Sequence, residues 1–301
     1  MPPRPGPQTN GTDVIHDIGY RHYDGPRLGR GYARRSLYVQ SLRGAYGLGR
    51  SAKSKVLPMI LYGLMCLVAL IIAAVAIYSG TMKKLPIEYT DYAQIMTLVV
   101  YLYLGSQAPQ SVSRDLRFKS VPLYFSRPIE RVDYVSAKYA ALSTAMFIFT
   151  ASPLLLLYLG SLLAKFDFAD NTKWFLQALV GAALMSLLFS ALALLIAALT
   201  PRRGFGVAAV IAVFFVTYGA AGAIMGISYD QGEYDVIGWA ALGSPTWLVD
   251  SIQATFLGAQ ANTPENIEPS TAAGIAALAV CFAVIAGCFA LLLRRYRKAG
   301  L

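Results

Sequence analysis

Six stretches of this chain are apolar for about as long as a helix needs to cross a bilayer, roughly 20 residues. They run from Leu57 to Tyr78, Tyr92 to about Ala108, Ala137 to Gly160, Trp174 to Thr200, Gly204 to Gly226 and Thr271 to Leu293. The second is the most diluted, by Gln94, Gln107 and two tyrosines. Backbone groups in hydrocarbon find no water to bond, so each run is expected to be a helix and the fold an all-α, six-span membrane protein. Charge is scarce: 14% of the 301 residues, against about 25% in soluble domains. That composition excludes a disordered chain, a collagen-like fibre and a disulfide scaffold. Cys66, Cys281 and Cys288 all fall inside apolar runs, which marks them as small buried hydrophobes.

The first run follows 56 mostly polar residues. No apolar core or small-residue cleavage site precedes it, so the first helix is expected to remain as an anchor. Counting cations between the runs then sets the orientation. Of 26 Lys and Arg residues, 21 fall before the first run, between the second and third, between the fourth and fifth, and after the sixth, and Lys138 lies just inside the third run on the same side. Only Lys83, Lys84, Lys165 and Lys173 lie on the other side. The positive-inside rule places both termini in the cytoplasm. The net charge of +10 is thereby explained by topology, with no nucleic-acid partner required.

The expected organisation is a cytoplasmic extension over 1–33, an amphipathic connecting helix over 34–56 and a transmembrane domain over 57–301, with a cytoplasmic loop over 111–136 and an external segment over 227–270. In the connecting helix, Leu37, Val39, Leu42, Tyr46 and Leu48 alternate with Arg34, Arg35, Arg43, Arg50 and Lys53, a pattern suited to the bilayer interface. Gly44, Gly47 and Gly49 shorten it. The external segment is acidic, and its apolar middle is broken at Gly243 and Pro245. Two short re-entrant or interfacial helices hinged there are expected, with Trp239 and Trp247 at headgroup level; a surface lid is the alternative.

Within the six runs there is no interior Asp, Glu, His or Arg. Ion-coupled carriers and membrane-embedded hydrolases need such groups. The chain is therefore expected to be no enzyme and to draw energy from a partner. His16 and Asp17, with His22 and Asp24, match no standard metal spacing, so no metal is expected. Gly47 to Ser54 mimics a phosphate-cradling loop, but Ala52 replaces its second glycine and a membrane span follows.

The loop between the second and third runs is the most patterned segment. Arg114, Asp115, Arg117 and Lys119 precede Pro122; Leu123, Tyr124 and Phe125 form an apolar knuckle; Pro128 is expected in the first turn of the next helix. A charged helix with an apolar knuckle suits docking into a partner's groove, and a membrane-surface turn with aromatic anchors is the simpler reading. The run Asp115-Leu116-Arg117, then Val121 to Ile129 (VPLYFSRPI), then Arg131, Asp133-Tyr134-Val135 and Lys138 strongly resembles the permeases of type-2 ATP-binding-cassette exporters. It is similar to the branch whose first cytoplasmic loop ends in LPLYxSRPIxRxDYVxxK. The stretch IHDIGYRHYDGPRLGR resembles an extension of actinobacterial members.

The resemblance implies a bacterial cell membrane, a second permease copy (identical or homologous) and separate ATPase subunits that hold ATP and Mg, with no cofactor in this chain. It assigns the ATPase contact to Arg114, Asp115, Leu116, Arg117, Leu123, Tyr124, Phe125, Arg127 and Pro128. The sequence departs from the family at Lys119-Ser120-Val121, where many members carry Gly-Thr-Leu. Family spans two and five line the subunit interface; here they hold Tyr101, Tyr103, Gln107, Phe214, Phe215, Thr217 and Tyr218, a lining suited to an amphipathic or lipid-like cargo or, equally, ordinary packing. Gly222-x-x-x-Gly226 with Gly219 is a candidate small-residue seam. A gradient-driven carrier and a non-transporting sensor or assembly protein are the competing function classes.

Overall fold

The computed structural model describes residues 25, 28–49, 51–79, 84–117, 129–200 and 202–299. Those residues form helices and connecting turns with no strand. In chain order the helices are α1 (Arg30–Ala45), α2 (Ala52–Ser79), the single turn α3 (Tyr92–Ile95), α4 (Thr97–Arg117), α5 (Arg131–Leu163), α6 (Phe168–Leu199), α7 (Arg203–Asp230), α8 (Tyr234–Ala240), α9 (Pro245–Leu257) and α10 (Thr271–Ala299). Five of them, α2, α5, α6, α7 and α10, are long and apolar enough to cross a membrane. The chain is an all-α, multi-pass membrane protein.

The second expected span is the exception. It breaks at Met96, and α4 then continues to Arg117 with too many polar residues to pass as a span by composition. Its polar residues face protein. Tyr101, Tyr103, Leu104, Gln107 and Ala108 are all buried against α6, α7 and their neighbours, while Leu98 and Leu102 stay exposed.

Two further boundaries differ from expectation. The connecting helix is α1, and it ends at Ala45, because Gly47 and Gly49 turn the chain at φ +69° and +78°. Helix α2 begins six residues before Pro58. Rather than lying alone, α1 packs against α5, with Leu37, Gly44 and Ala45 buried. Tyr38 donates to Thr144 Oγ1 over 3.1 Å, and Tyr46 donates to the Ala145 carbonyl over 2.7 Å.

Helix α6 is the axis of the bundle, in contact with α4, α5, α7, α9 and α10. Hydrocarbon gives helices no hydrophobic reason to associate, so close approach at small residues does that work. A Cβ on Gly160 of α5 would lie 2.3 Å from the Ala73 Cβ of α2, and one on Gly181 of α6 would lie 2.0 Å from Gln253 Nε2 of α9. The expected seam in α7 is not used within the chain: Gly219 and Gly226 face open space, and Gly222 makes ordinary contact with Trp247.

Replacing Gly160 with Ala should therefore cost about 1–3 kcal/mol through overpacking. Gly63→Ala, where nothing lies within 4 Å, should be neutral or slightly stabilising. Thermal unfolding of both variants in detergent checks this, and equal melting temperatures would contradict the α2–α5 seam.

Candidate functional site

At one end of the bundle, the end of α4, the start of α5 and the end of α10 meet. Lys138 sits two turns into α5 and is 9% exposed, a position that a lone ammonium cannot occupy cheaply. Its Nζ lies 3.1 Å from Asp115 Oδ2 on α4 and donates to the Ser111 carbonyl over 2.9 Å. The same carboxylate oxygen accepts the Tyr134 hydroxyl at 2.5 Å. Tyr134 in turn packs its ring against Tyr296 of α10, with centroids 5.0 Å apart. One carboxylate thus ties the end of α4 to the first turns of α5, and an aromatic pair ties those turns to the end of α10.

The neighbouring ends are closed in the same way. Glu130 and Asp133 form a capping box at the start of α5. Arg30 of α1 pairs with both carboxylates, at 2.5 Å to Asp133 Oδ2. The last carbonyls of α6 are orphaned by helix geometry. Ser113 donates to Ala197 O over 2.8 Å, and Arg295 donates to Ala198 O over 3.3 Å.

Of the residues expected to touch an ATPase, Asp115 faces inward in this lock. Arg114, Leu116 and Arg117 lie on the last turns of α4, and their side chains are outside the described part. Leu123, Tyr124, Phe125, Arg127 and Pro128 also lie outside the described residues. Arg30, Glu130 and Tyr296 had no signal in the sequence. Lys138 had one, as the lone cation at the mouth of an apolar run, which requires a carboxylate partner.

The residues expected along a pathway are distributed differently. Tyr101, Phe189 and Phe214 form a three-ring cluster with centroids 4.8–6.2 Å apart. Tyr103 stacks on Phe149 at 4.2 Å. Gln107 is buried, donating to Ser106 Oγ over 3.0 Å, while its Oε1 finds no partner among the described residues. Within one chain these side chains are interior packing. Phe215 points outward and is 59% exposed. Thr217 bonds back to the Val213 carbonyl of its own helix. Tyr218 lies parallel to Trp247, centroids 5.2 Å apart.

At the opposite, acidic end, helices α8 and α9 are hinged where expected: Gly243 closes a 3-10 turn, Ser244 is extended and Pro245 opens α9. Trp239 is exposed, whereas Trp247 is covered by protein. It is buried, and its indole N–H donates to the Tyr218 carbonyl over 3.1 Å, because the first turns of α9 enter the bundle. The Thr246 and Tyr101 hydroxyls meet at 2.6 Å.

Asp250, a turn further on, is buried and joined to Asp91 through Asn262. The Asn262 amide donates to Asp250 Oδ1 at 2.8 Å and to Asp91 Oδ1 at 2.9 Å, and its backbone N–H donates to Asp250 Oδ2 at 3.2 Å. Burial pushes the Asp250 carboxyl up to about 6, with the charge of Asp91 adding to the shift and the bonds from Asn262 opposing it. Asp91 is also raised, by burial first.

No group of three or more His, Cys, Asp or Glu side chains that could hold a metal occurs among the described residues. In comparisons with known proteins, no family model and no curated relative matches the chain.

The acidic pair carries a pH dependence with a definite sign. Between about pH 4 and 6 the folded chain keeps on Asp250 a proton that the unfolded chain has lost. The associated stability is complete at low pH and disappears as pH rises through about 6, amounting to about 3 kcal/mol at most. Melting temperatures in detergent should fall from pH 5 to pH 7.5 in the wild type, and the fall should shrink by more than half in Asp250→Asn. An unchanged fall in that variant would show that Asp250 does not titrate in this range.

Proposed function

We propose that the chain is the permease subunit of an ATP-driven exporter of the type-2 ATP-binding-cassette kind. In this reading it moves an amphipathic or lipid-like cargo outward, works with a second permease copy and is driven by separate ATPase subunits. Its bundle then sits in a bacterial cell membrane with both termini in the cytoplasm. Helix α4 supplies the sixth span, tolerating its polar residues because they turn into the bundle. ATP and Mg belong to the ATPase, which supplies the hydrolysis.

The observation that carries this reading is the lock between the end of α4 and the start of α5. A docking element transmits force only if it is joined rigidly to helices that must move. The segment with the knuckle Leu123-Tyr124-Phe125 is bracketed by α4 and α5. Their ends share the Asp115 carboxylate with Lys138 and Tyr134, and Tyr134 bears on α10. A push on this segment therefore displaces three helices together instead of bending a linker. Work done by ATP closure would act through different contacts in two states of this unit.

The order of cations along the sequence also supports the reading, since 22 of the 26 fall on the side expected to be cytoplasmic. The six apolar runs have no interior carboxylate, histidine or arginine, which disfavours coupling to an ion gradient. A carrier would draw its coupling group from the Asp91–Asp250 pair, but those carboxylates lie at the acidic end and are tied to Asn262.

Purification of the full chain from its native membrane, followed by an ATPase assay, tests the proposal. We expect a soluble ATPase to co-purify and Leu123→Asp to abolish the association. Tyr134→Phe should keep the association but reduce permease-dependent ATP turnover about tenfold or more, one hydrogen bond to a charged group being worth that much. Transport that continues without any ATPase and collapses with the proton gradient would replace this reading with the carrier.

A further inference from the structure

A second site lies at the acidic end, away from the lock. Three segments converge there on a cavity of about 170 Å³: the chain from Lys84 to Thr90, the first turns of α6, and Gly258-Ala259 after α9. Its floor is already saturated. The Tyr89 hydroxyl shares its one proton between Ser161 Oγ at 2.9 Å and Asn171 Oδ1 at 3.2 Å, and the Asn171 amide donates to the Asp167 carbonyl at 2.7 Å. The rim is not. Lys84 Nζ stands 5.1 Å from the Trp174 ring centroid, and Glu88 accepts only the Gln260 N–H, at 3.4 Å. Among the described residues neither charge is in an ion pair. The Gln177 amide makes no hydrogen bond there either.

Gln177 also borders a second hollow. On its far side an apolar groove runs along the outer face of α6, lined by Phe168, Leu176, Val180 and Leu257, with Lys173 at its edge. Phe168, Leu176 and Val180 are each more than half exposed. A polar cavity with one cation and one anion thus opens beside an apolar groove on a membrane helix. That order of chemistries is the order along a phospholipid.

We propose that this is a binding site for one phospholipid with a compact zwitterionic headgroup of the phosphoethanolamine type. The headgroup occupies the cavity and one acyl chain lies in the groove. Glu88 takes the ammonium, and Lys84 leaves the Trp174 face to meet the phosphate, so that the vacated ring receives the ammonium in its place. Hydrogen bonding decides against a quaternary headgroup, since a primary ammonium donates to the Glu88 carboxylate and a trimethylammonium has no N–H to give. Charge decides against an anionic lipid, whose headgroup would leave Glu88 repelling it. The site is argued from its own lining and does not depend on the chain being an exporter.

Native mass spectrometry of the full chain in detergent tests this. Phosphatidylethanolamine, phosphatidylglycerol, phosphatidylcholine and monoglucosyl diacylglycerol with identical acyl chains serve as probes. We expect one phosphatidylethanolamine adduct, retained about tenfold more tightly than the others, the scale of one charge-assisted hydrogen bond. Glu88→Gln should erase the preference over phosphatidylglycerol, and Lys84→Gln should weaken both phospholipids. Soluble O-phosphoethanolamine should compete poorly, because it leaves the groove empty. Lys84 and Glu88 are exposed, so both variants should melt like the wild type. Equal retention of all four lipids, a preference that survives Glu88→Gln, stronger retention of the glycolipid, or full competition by the soluble headgroup would each overturn the proposal.

Discussion

A charge inside a low-dielectric helix bundle must find its counter-charge in the protein, and that requirement organises one end of this molecule. Lys138 is the only cation within the six apolar runs. By burying it two turns into α5, the fold obliges α4 to deliver Asp115 and the Ser111 carbonyl to the same spot. Once Asp115 is there, Tyr134 can bond it and bring its ring against Tyr296. The segment between α4 and α5 consequently springs from a base held on both sides. Without that pairing α4 and α5 would share few polar reasons to end together.

The rest of the bundle is held by fit. Glycines let α2 meet α5 and let α9 lay Gln253 across α6, while stacked and tilted rings fill the space among α4, α6 and α7. The two ends differ in kind. One end is locked by paired opposite charges. The acidic end holds two carboxylates on one amide, an arrangement comfortable only while one of them is protonated. The lock suits a place where force enters; the acidic pair suits a place where the inserted α9 can loosen.

Long apolar runs were legible because their composition alone marks them as fit for hydrocarbon, and five of the six became helices that fit a bilayer. Helix α4 blurred because its polar residues, Gln107 and the tyrosines among them, turn into the bundle, a placement no local pattern displays. The hinge at Gly243 and Pro245 was readable from backbone chemistry alone. The burial of Trp247 was not, since an exposed aromatic and one packed under a helix look identical until the packing of α9 is known. Glycine spacing misled in α7, where Gly219 and Gly226 face open space, while Gly160 and Gly181 made the close approaches. Pairings between distant segments, Arg30 with Asp133 or Asp250 with Asn262 and Asp91, leave no local trace.

The central claim is that Asp115 and Lys138 act as one unit joining α4 to α5. A double-mutant cycle on unfolding in detergent, using Asp115→Asn, Lys138→Met and the two combined, measures that directly. The account predicts a coupling energy of about 1.5 kcal/mol or more, with the double variant more stable than the two single losses would sum to. Additive losses, with coupling near zero, would contradict it.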